Sequence, residues 1–219
     1  EIIKGSCGTN ATYSFDTETG ILTISGTGAI RFDSFAFWNV SFADEIIKVV
    51  VGNGITEIGN NAFYSCAYLN SVTIPNSVIS IGNNSFRGCT SLTSIDGEGS
   101  NASIEIPSTM LSIGTDTFSG CTSLTSVTIP DNITTIGSGM CRNCTAVTDV
   151  IIGNGVTTIP HAVFLDSPSL LHVTLSDNVT IMLNSGFTNC AKLETVNSNI
   201  TGVVNLPRNL QRMMAQAIR

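Results

Sequence analysis

A chain of 219 residues with 9 Lys and Arg against 16 Asp and Glu carries a net charge of −7 and no basic stripe, so the counterion release that drives nucleic-acid binding has nothing to act through. Only 11% of the residues are charged and the mean hydropathy is +0.30, yet no apolar run approaches the roughly 18 residues of a membrane span. No nucleic-acid partner and no membrane span in this chain are expected, and the length suits one sizeable core or a run of stacked repeats.

The chain opens at Glu1 without a methionine, which reads as loss of a signal peptide or an upstream region. Residues 1–45 read as an N-terminal β cap. Tyr13-Ser14-Phe15 and Ile21-Leu22-Thr23-Ile24, joined by Asp16-Thr17-Glu18-Thr19-Gly20, predict a β-hairpin. Gly26-Thr27-Gly28 reads as a turn at the end of its second strand. Trp38, with Phe35, Phe37 and Phe42, is suited to cover the first coil of a repeat array.

From Ile46 onward the sequence repeats itself. One column reads Cys66, Cys89, Cys121, Cys144, Ser167, Cys190, with every step 23 residues except the 32 between Cys89 and Cys121. An aromatic column follows it: Phe63, Phe86, Phe118, Cys141, Phe164, Phe187. Two more read Leu69, Leu92, Leu124, Val147, Leu170, Leu193 and Val72, Ile95, Val127, Val150, Val173, Val196. Apolar columns in fixed register over many copies are the signature of a solenoid. Each coil contains Leu-x-x-Val-x-Ile, whose alternation predicts a strand ended by Pro or Gly. The return path Val-x-x-Ile-Gly predicts a second short extended piece, then a helical or 3₁₀ turn around Ala62-Phe63. The expected fold is therefore a leucine-rich-repeat solenoid over 46–219, mostly β, with a parallel sheet and coils about 4.8 Å apart in an elongated, curved body.

The 32-residue step marks an insert near 96–104, where the polar run Asp96-Gly97-Glu98-Gly99-Ser100-Asn101-Ala102-Ser103 reads as a surface loop that leaves the sheet unextended. A second insert lies near 197–204. Val204, Leu206-Pro207, Leu210, Met213 and Ile218 then re-enter the register, so the last coil is either a degenerate cap or the cut end of a longer array.

The repeat Cys-x-x-Leu-x-x-Val-x-Ile-Pro-x-x-Val-x-x-Ile-Gly-x-x-Ala-Phe resembles the treponemal-type, or BspA-like, leucine-rich repeat. Gly5-Ser6-Cys7-Gly8 and the segment from Gly20 to Gly28 resemble that family's N-terminal part. Departures at Cys141, Ser167 and Met182 keep an inward column. The resemblance implies a cell-surface or secreted protein that adheres to host matrix proteins, cells or glycans. It carries no shared ligand-binding residues.

Five cysteines share one inward column and are expected as buried, unpaired thiols. Cys141 and Cys144 have a redox or half-zinc spacing, but no second pair accompanies them, and Cys7 has no assigned partner. His161 and His172 belong to different columns, no nucleophile elbow or phosphate loop occurs, and the run after Asp96 lacks the ligand spacing of a calcium loop. No enzyme activity, metal site or cofactor is expected. Asn10, Asn39, Asn83, Asn101, Asn132, Asn178 and Asn199 begin Asn-x-Ser/Thr sequons, usable on a eukaryotic secretory route. Asn143 begins another, beside Cys144, and reads as poorly accessible.

The strand positions between the inward columns form an open face. Most are small and polar, but Asp149, Ile151, His172 and Thr174 bring charge, a titratable ring and an exposed aliphatic to two adjacent coils, and this concave patch is the candidate surface for a host extracellular protein or glycan. The alternative is a structural spacer whose repeats present another domain of a longer surface protein. An intracellular scaffold, suggested by the reduced-looking thiols, is a third reading.

Overall fold

The structure is a computed structural model that describes residues 1–31, 36, 38, 41–96, 104–183 and 185–197. The sequence-based readings of Phe35, Phe37, Asn39, Asn101 and Asn199, of the run 97–103 and of everything from residue 198 on lie outside the described residues.

The chain opens with β1 (Ile2–Ser6), β2 (Asn10–Asp16) and β3 (Ile21–Ile30), paired antiparallel in that order, and a 3₁₀ turn at Ala43–Glu45 follows. The coils then alternate between two parallel sheets. The first contains β4 (Lys48–Val51), β6 (Ser71–Thr73), β8 (Ser94–Asp96), β9 (Ile104–Glu105), β11 (Ser126–Ile129), β13 (Asp149–Ile152), β15 (His172–Leu175) and β17 (Thr195–Asn197). The second contains β5 (Ile55–Ile58), β7 (Ser80–Ile81), β10 (Ser112–Ile113) and β12 (Thr135–Ile136), and β14 (Thr158–Ile159) pairs with β16 (Ile181–Met182) as a separate ribbon. This is a leucine-rich-repeat solenoid whose core lies between the two sheets.

β3 supplies the first rung of both sheets. Leu22 and Ile24 lie opposite Val49 and Val51 of β4, while Gly28 and Ile30 lie opposite Ile55 and Ile58 of β5. Gly26-Thr27-Gly28 is therefore not a turn at a strand's end, as the sequence suggests. It is where one strand crosses from sheet to sheet, and Gly26 (φ 101°) and Gly28 (φ 84°) supply a left-handed backbone that a side chain would strain. Trp38 covers the end of the core: its ring stacks on Phe63 at 5.6 Å, and its Nε1 donates to the Ala62 carbonyl at 2.6 Å. Phe42 stacks on Phe15 of the hairpin at 4.3 Å. Cap and first coil thus share one apolar core.

Each inward position packs on its own copy in the next coil. Phe63, Phe86 and Phe118 stack at 5.2 and 5.7 Å, Phe164 and Phe187 at 5.5 Å, and Cys141 interrupts the column between them. The column cysteines are buried free thiols. Cys89, Cys121, Cys144 and Cys190 each donate to the carbonyl of the aromatic-column residue one coil back, at 3.1 to 3.2 Å, and at Ser167 a hydroxyl makes the same bond to the Cys141 carbonyl at 3.3 Å. Burial pushes the Cys66 thiol up to about 12 and the Cys89 thiol well above its ordinary 9.0.

The connection at Ala62-Phe63 is a short turn of 3₁₀ spacing, in which Tyr64 and Cys66 donate to the Asn61 and Phe63 carbonyls at 3.2 and 3.3 Å, while Asn61, Phe63 and Ser65 send their N–H groups to the carbonyls of Asn83, Ser85 and Arg87 in the next coil at 2.7 to 2.9 Å. Left-handed backbone at Asn61 and Ser65 (φ 57° each) turns the chain, and Asn84, Gly88, Asp116, Gly120, Ala162 and Asp166 repeat the pattern. Contrary to the sequence reading, the insert does extend the sheet. Asp96 ends β8, and Ile104–Glu105 enters the first sheet as β9, with Ile104 opposite Ile95 on one side and Val127 on the other. β7 and β10 pair directly, so the second sheet gains no matching rung.

Candidate functional site

In β13 and β15 alternation sends Val150, Ile152, Val173 and Leu175 inward and leaves Asp149, Ile151, His172 and Thr174 on the exposed outer face of the first sheet. Parallel register places Asp149 opposite His172 and Ile151 opposite Thr174, so the structure brings the four candidate residues into one block on adjacent rungs. Ile151 is 48% exposed, between Thr128 on β11 and Thr174.

The polar groups of this block turn to other neighbours. Thr148 donates its hydroxyl to Asp149 Oδ2 at 2.6 Å, and His172 Nδ1 lies 2.9 Å from Thr195 Oγ1 on β17. Asp149 and His172 therefore flank Ile151 and Thr174 as separate hydrogen-bonding groups, each steadied by a threonine. Sequence alone does not mark Thr148 or Thr195 as part of the site. Thr195 stands 23 residues after His172 in the same column, and that spacing is the signal for it.

Cys141 and Cys144 are both buried; a hydrogen bond with Cys144 and then burial hold the Cys141 thiol well above 9.0, and Cys144 donates to the Phe118 carbonyl. The Cys141 thiol thus lacks the lowered pKa of a reactive cysteine. Cys7 is buried, with its thiol pushed up to about 11 by desolvation. His161 lies in the turn after β14, on a different side of the coil from His172. Among the described residues no group of three or more His, Cys, Asp or Glu is placed to hold a metal ion, and no helix is long and apolar enough to cross a membrane.

Of the sequon asparagines, Asn10, Asn83 and Asn178 are exposed and Asn132 is half-buried, its side-chain amide donating to the Met110 carbonyl. Asn143, expected to be poorly accessible, is exposed: its left-handed backbone (φ 59°) sits at the corner of the coil while the next residue, Cys144, points inward.

Stacked 23-residue coils, a cysteine–aromatic inner column and an open polar sheet face define a leucine-rich-repeat solenoid protein. The family model described as the BspA type leucine rich repeat region, in six copies, matches residues 30–102 and 97–210. The chain belongs to this family. A comparison with curated proteins gave no match. Among solved structures it is similar to a leucine-rich-repeat protein of T. pallidum (20% identity, 97% of this chain and 95% of that one, TM-score 0.61). It is also similar to one from Bacteroides ovatus (22% identity, 92% and 58%, TM-score 0.66) and to the pneumococcal vaccine antigen PcpA (15% identity, 89% and 46%, TM-score 0.53). This chain spans about half the length of the last two. At these identities the likeness concerns the fold.

Proposed function

We propose that this chain is a non-enzymatic binding module of a secreted or cell-surface protein, which holds a host extracellular protein or glycan on the outer face of its first sheet. The observation that carries the reading is Ile151, 48% exposed on a face whose other positions are mostly small and polar, and flanked by the hydrogen-bonding groups of Asp149, His172 and Thr174. An aliphatic group there gains nothing from folding, whereas burying it against a partner stabilises a complex by about 1.5–3 kcal/mol. The polar neighbours orient the partner. Membership of the BspA-type family and likeness to a bacterial antigen support display at a surface. The exposed Asn10, Asn83, Asn143 and Asn178 are glycan acceptors if the host route is a eukaryotic secretory one.

The test is capture of matrix proteins, cell-surface proteins and glycans on the immobilised chain, followed by titration of the captured ligand against Ile151→Arg and His172→Ala. Both variants keep the melting temperature, and each weakens binding at least about tenfold, or 1.4 kcal/mol. Undiminished affinity in both moves the site elsewhere. Capture of nothing favours the spacer reading, in which the coils only present another domain.

A further inference from the structure

We infer that the solenoid carries a one-sided seam between β12 and β14, across which its C-terminal coils tilt about the first sheet. Elsewhere each coil-to-coil step of the second sheet is tied by an N–H donor before the strand, and the steps into β7, β10 and β16 by a second donor after it. The first comes from the residue before each strand: Ile79 to the Thr56 carbonyl at 2.9 Å, Leu111 to Ile79 at 2.8 Å, Thr134 to Leu111 at 3.2 Å and Thr180 to Thr157 at 2.9 Å. The second comes from the residue after it: Gly82 to Ile58 at 2.8 Å, Gly114 to Ile81 at 2.9 Å and Leu183 to Ile159 at 2.9 Å.

Both ties are missing at one step. The residue after β14 is Pro160, which has no N–H to give to the Ile136 carbonyl. Among the described residues Thr157 donates to no carbonyl of the coil before it, and β14 pairs with β16 and not with β12. The side chain at position 160 is not the cause, because Leu183 occupies the same column one coil later and still donates, and β16 pairs with β14. What sets this step apart is that it has neither donor, whereas the step into β12 keeps the Thr134 bond and stays paired.

The other sides of the same step remain closed. β11 and β13 pair over four residues, and Gly153 donates to the Ile129 carbonyl at 2.8 Å. On the return side Gly139, Cys141 and Asn143 donate to His161, Val163 and Leu165 at 2.7 to 2.9 Å. An opening confined to the second sheet, with the first sheet intact across the core, permits a tilt whose axis runs along the β11–β13 pair and so past Thr128 and Ile151. A partner lying across those two residues would feel the tilt, a consequence that rests on the binding reading above. The seam itself does not depend on it.

Hydrogen exchange read by mass spectrometry on the whole chain tests the seam without any ligand. In the unaltered protein the amides of Thr157–Ile159 exchange at least tenfold faster than those of the corresponding residues of β10 and β12. Pro160→Ala, which restores a donor, slows them at least tenfold and leaves β11 and β13 unchanged. Pro160→Gly, carrying the residue that donates at 82 and 114, does the same. Equal exchange in the two regions of the unaltered protein, or no slowing in either variant with circular dichroism intact, overturns the proposal.

Discussion

The thiol of Cys89 lies 3.1 Å from the carbonyl oxygen of Phe63, one coil back, and gives that oxygen a second donor beside the Cys66 N–H at 3.3 Å. The equivalent bond from Cys121 to Phe86 can be tested by substitution. Cys121→Ser keeps a donor at a position where Ser167 already shows that a hydroxyl is accepted, and costs about 1 kcal/mol or less. Cys121→Val removes the thiol donor, leaves the Phe86 carbonyl with the Cys89 N–H alone and adds bulk to a packed core, and costs about 1–3 kcal/mol. Urea unfolding measures both. Equal costs would remove the hydrogen bond from the account of this column.

The same burial makes the fold sensitive to alkali. The Cys66 thiol is pushed up to about 12 and the Cys190 thiol to about 11, both by desolvation, from an ordinary value of 9.0. A raised folded pKa means that the unfolded chain releases its protons first. Stability from these groups is fully present below pH 9 and is lost as pH rises through 11 to 12, by about 1.4 kcal/mol per pH unit for each thiol inside that window. Unfolding free energy measured from pH 8 to pH 11 should fall, and cysteine-directed reagents should react slowly until the chain unfolds. Fast labelling of the column thiols at pH 8 would contradict their inward placement.

Ala162 holds a left-handed backbone (φ 57°) at the corner position that Gly139 occupies in the preceding coil. Its Cβ crowds its own carbonyl there, a cost glycine does not carry. Ala162→Gly should stabilise the protein by about 0.5–1 kcal/mol despite the extra freedom of the unfolded chain, read as a rise in melting temperature. A fall would mean that the turn tolerates Ala162 without strain.

Ser176 stands where Pro75, Pro130 and Gly153 end the strands of earlier coils, and its buried hydroxyl has no hydrogen-bond partner among the described residues. Ser176→Ala removes that group and leaves the N–H of residue 176 bonded to the Ile152 carbonyl at 3.1 Å. The expected gain is about 1 kcal/mol in denaturant unfolding.

Most of the coil was legible because each inward side chain touches its own copy, so a column of Phe or Leu in the sequence is a contact in space. Position 143 shows the limit of that logic: Cys144 beside it is a core residue, but a left-handed corner reverses direction within one peptide and sends Asn143 to solvent. The extra rung had a signal, since Ile104-Glu105-Ile106-Pro107 repeats the form of Val72-Thr73-Ile74-Pro75. The Gly-rich run before it carries the composition of a loop and masks that signal. For the candidate site, alternation alone put Ile151 and Thr174 on the outer face. Which neighbour His172 leans toward depends on side-chain rotation, and no column encodes that.

β9 also decides where the outer face points. It adds one strand spacing, about 4.8 Å, to the first sheet and nothing to the second, which lies about 10 Å behind it. A stack thickened on one side acts like a tapered block in an arch, and these dimensions bend its long axis by roughly 25°. The outer faces on either side of β9 are splayed apart. A rigid ligand seated flat on β13 and β15 is therefore directed away from β4 and β6, and the N-terminal coils remain free for a different contact.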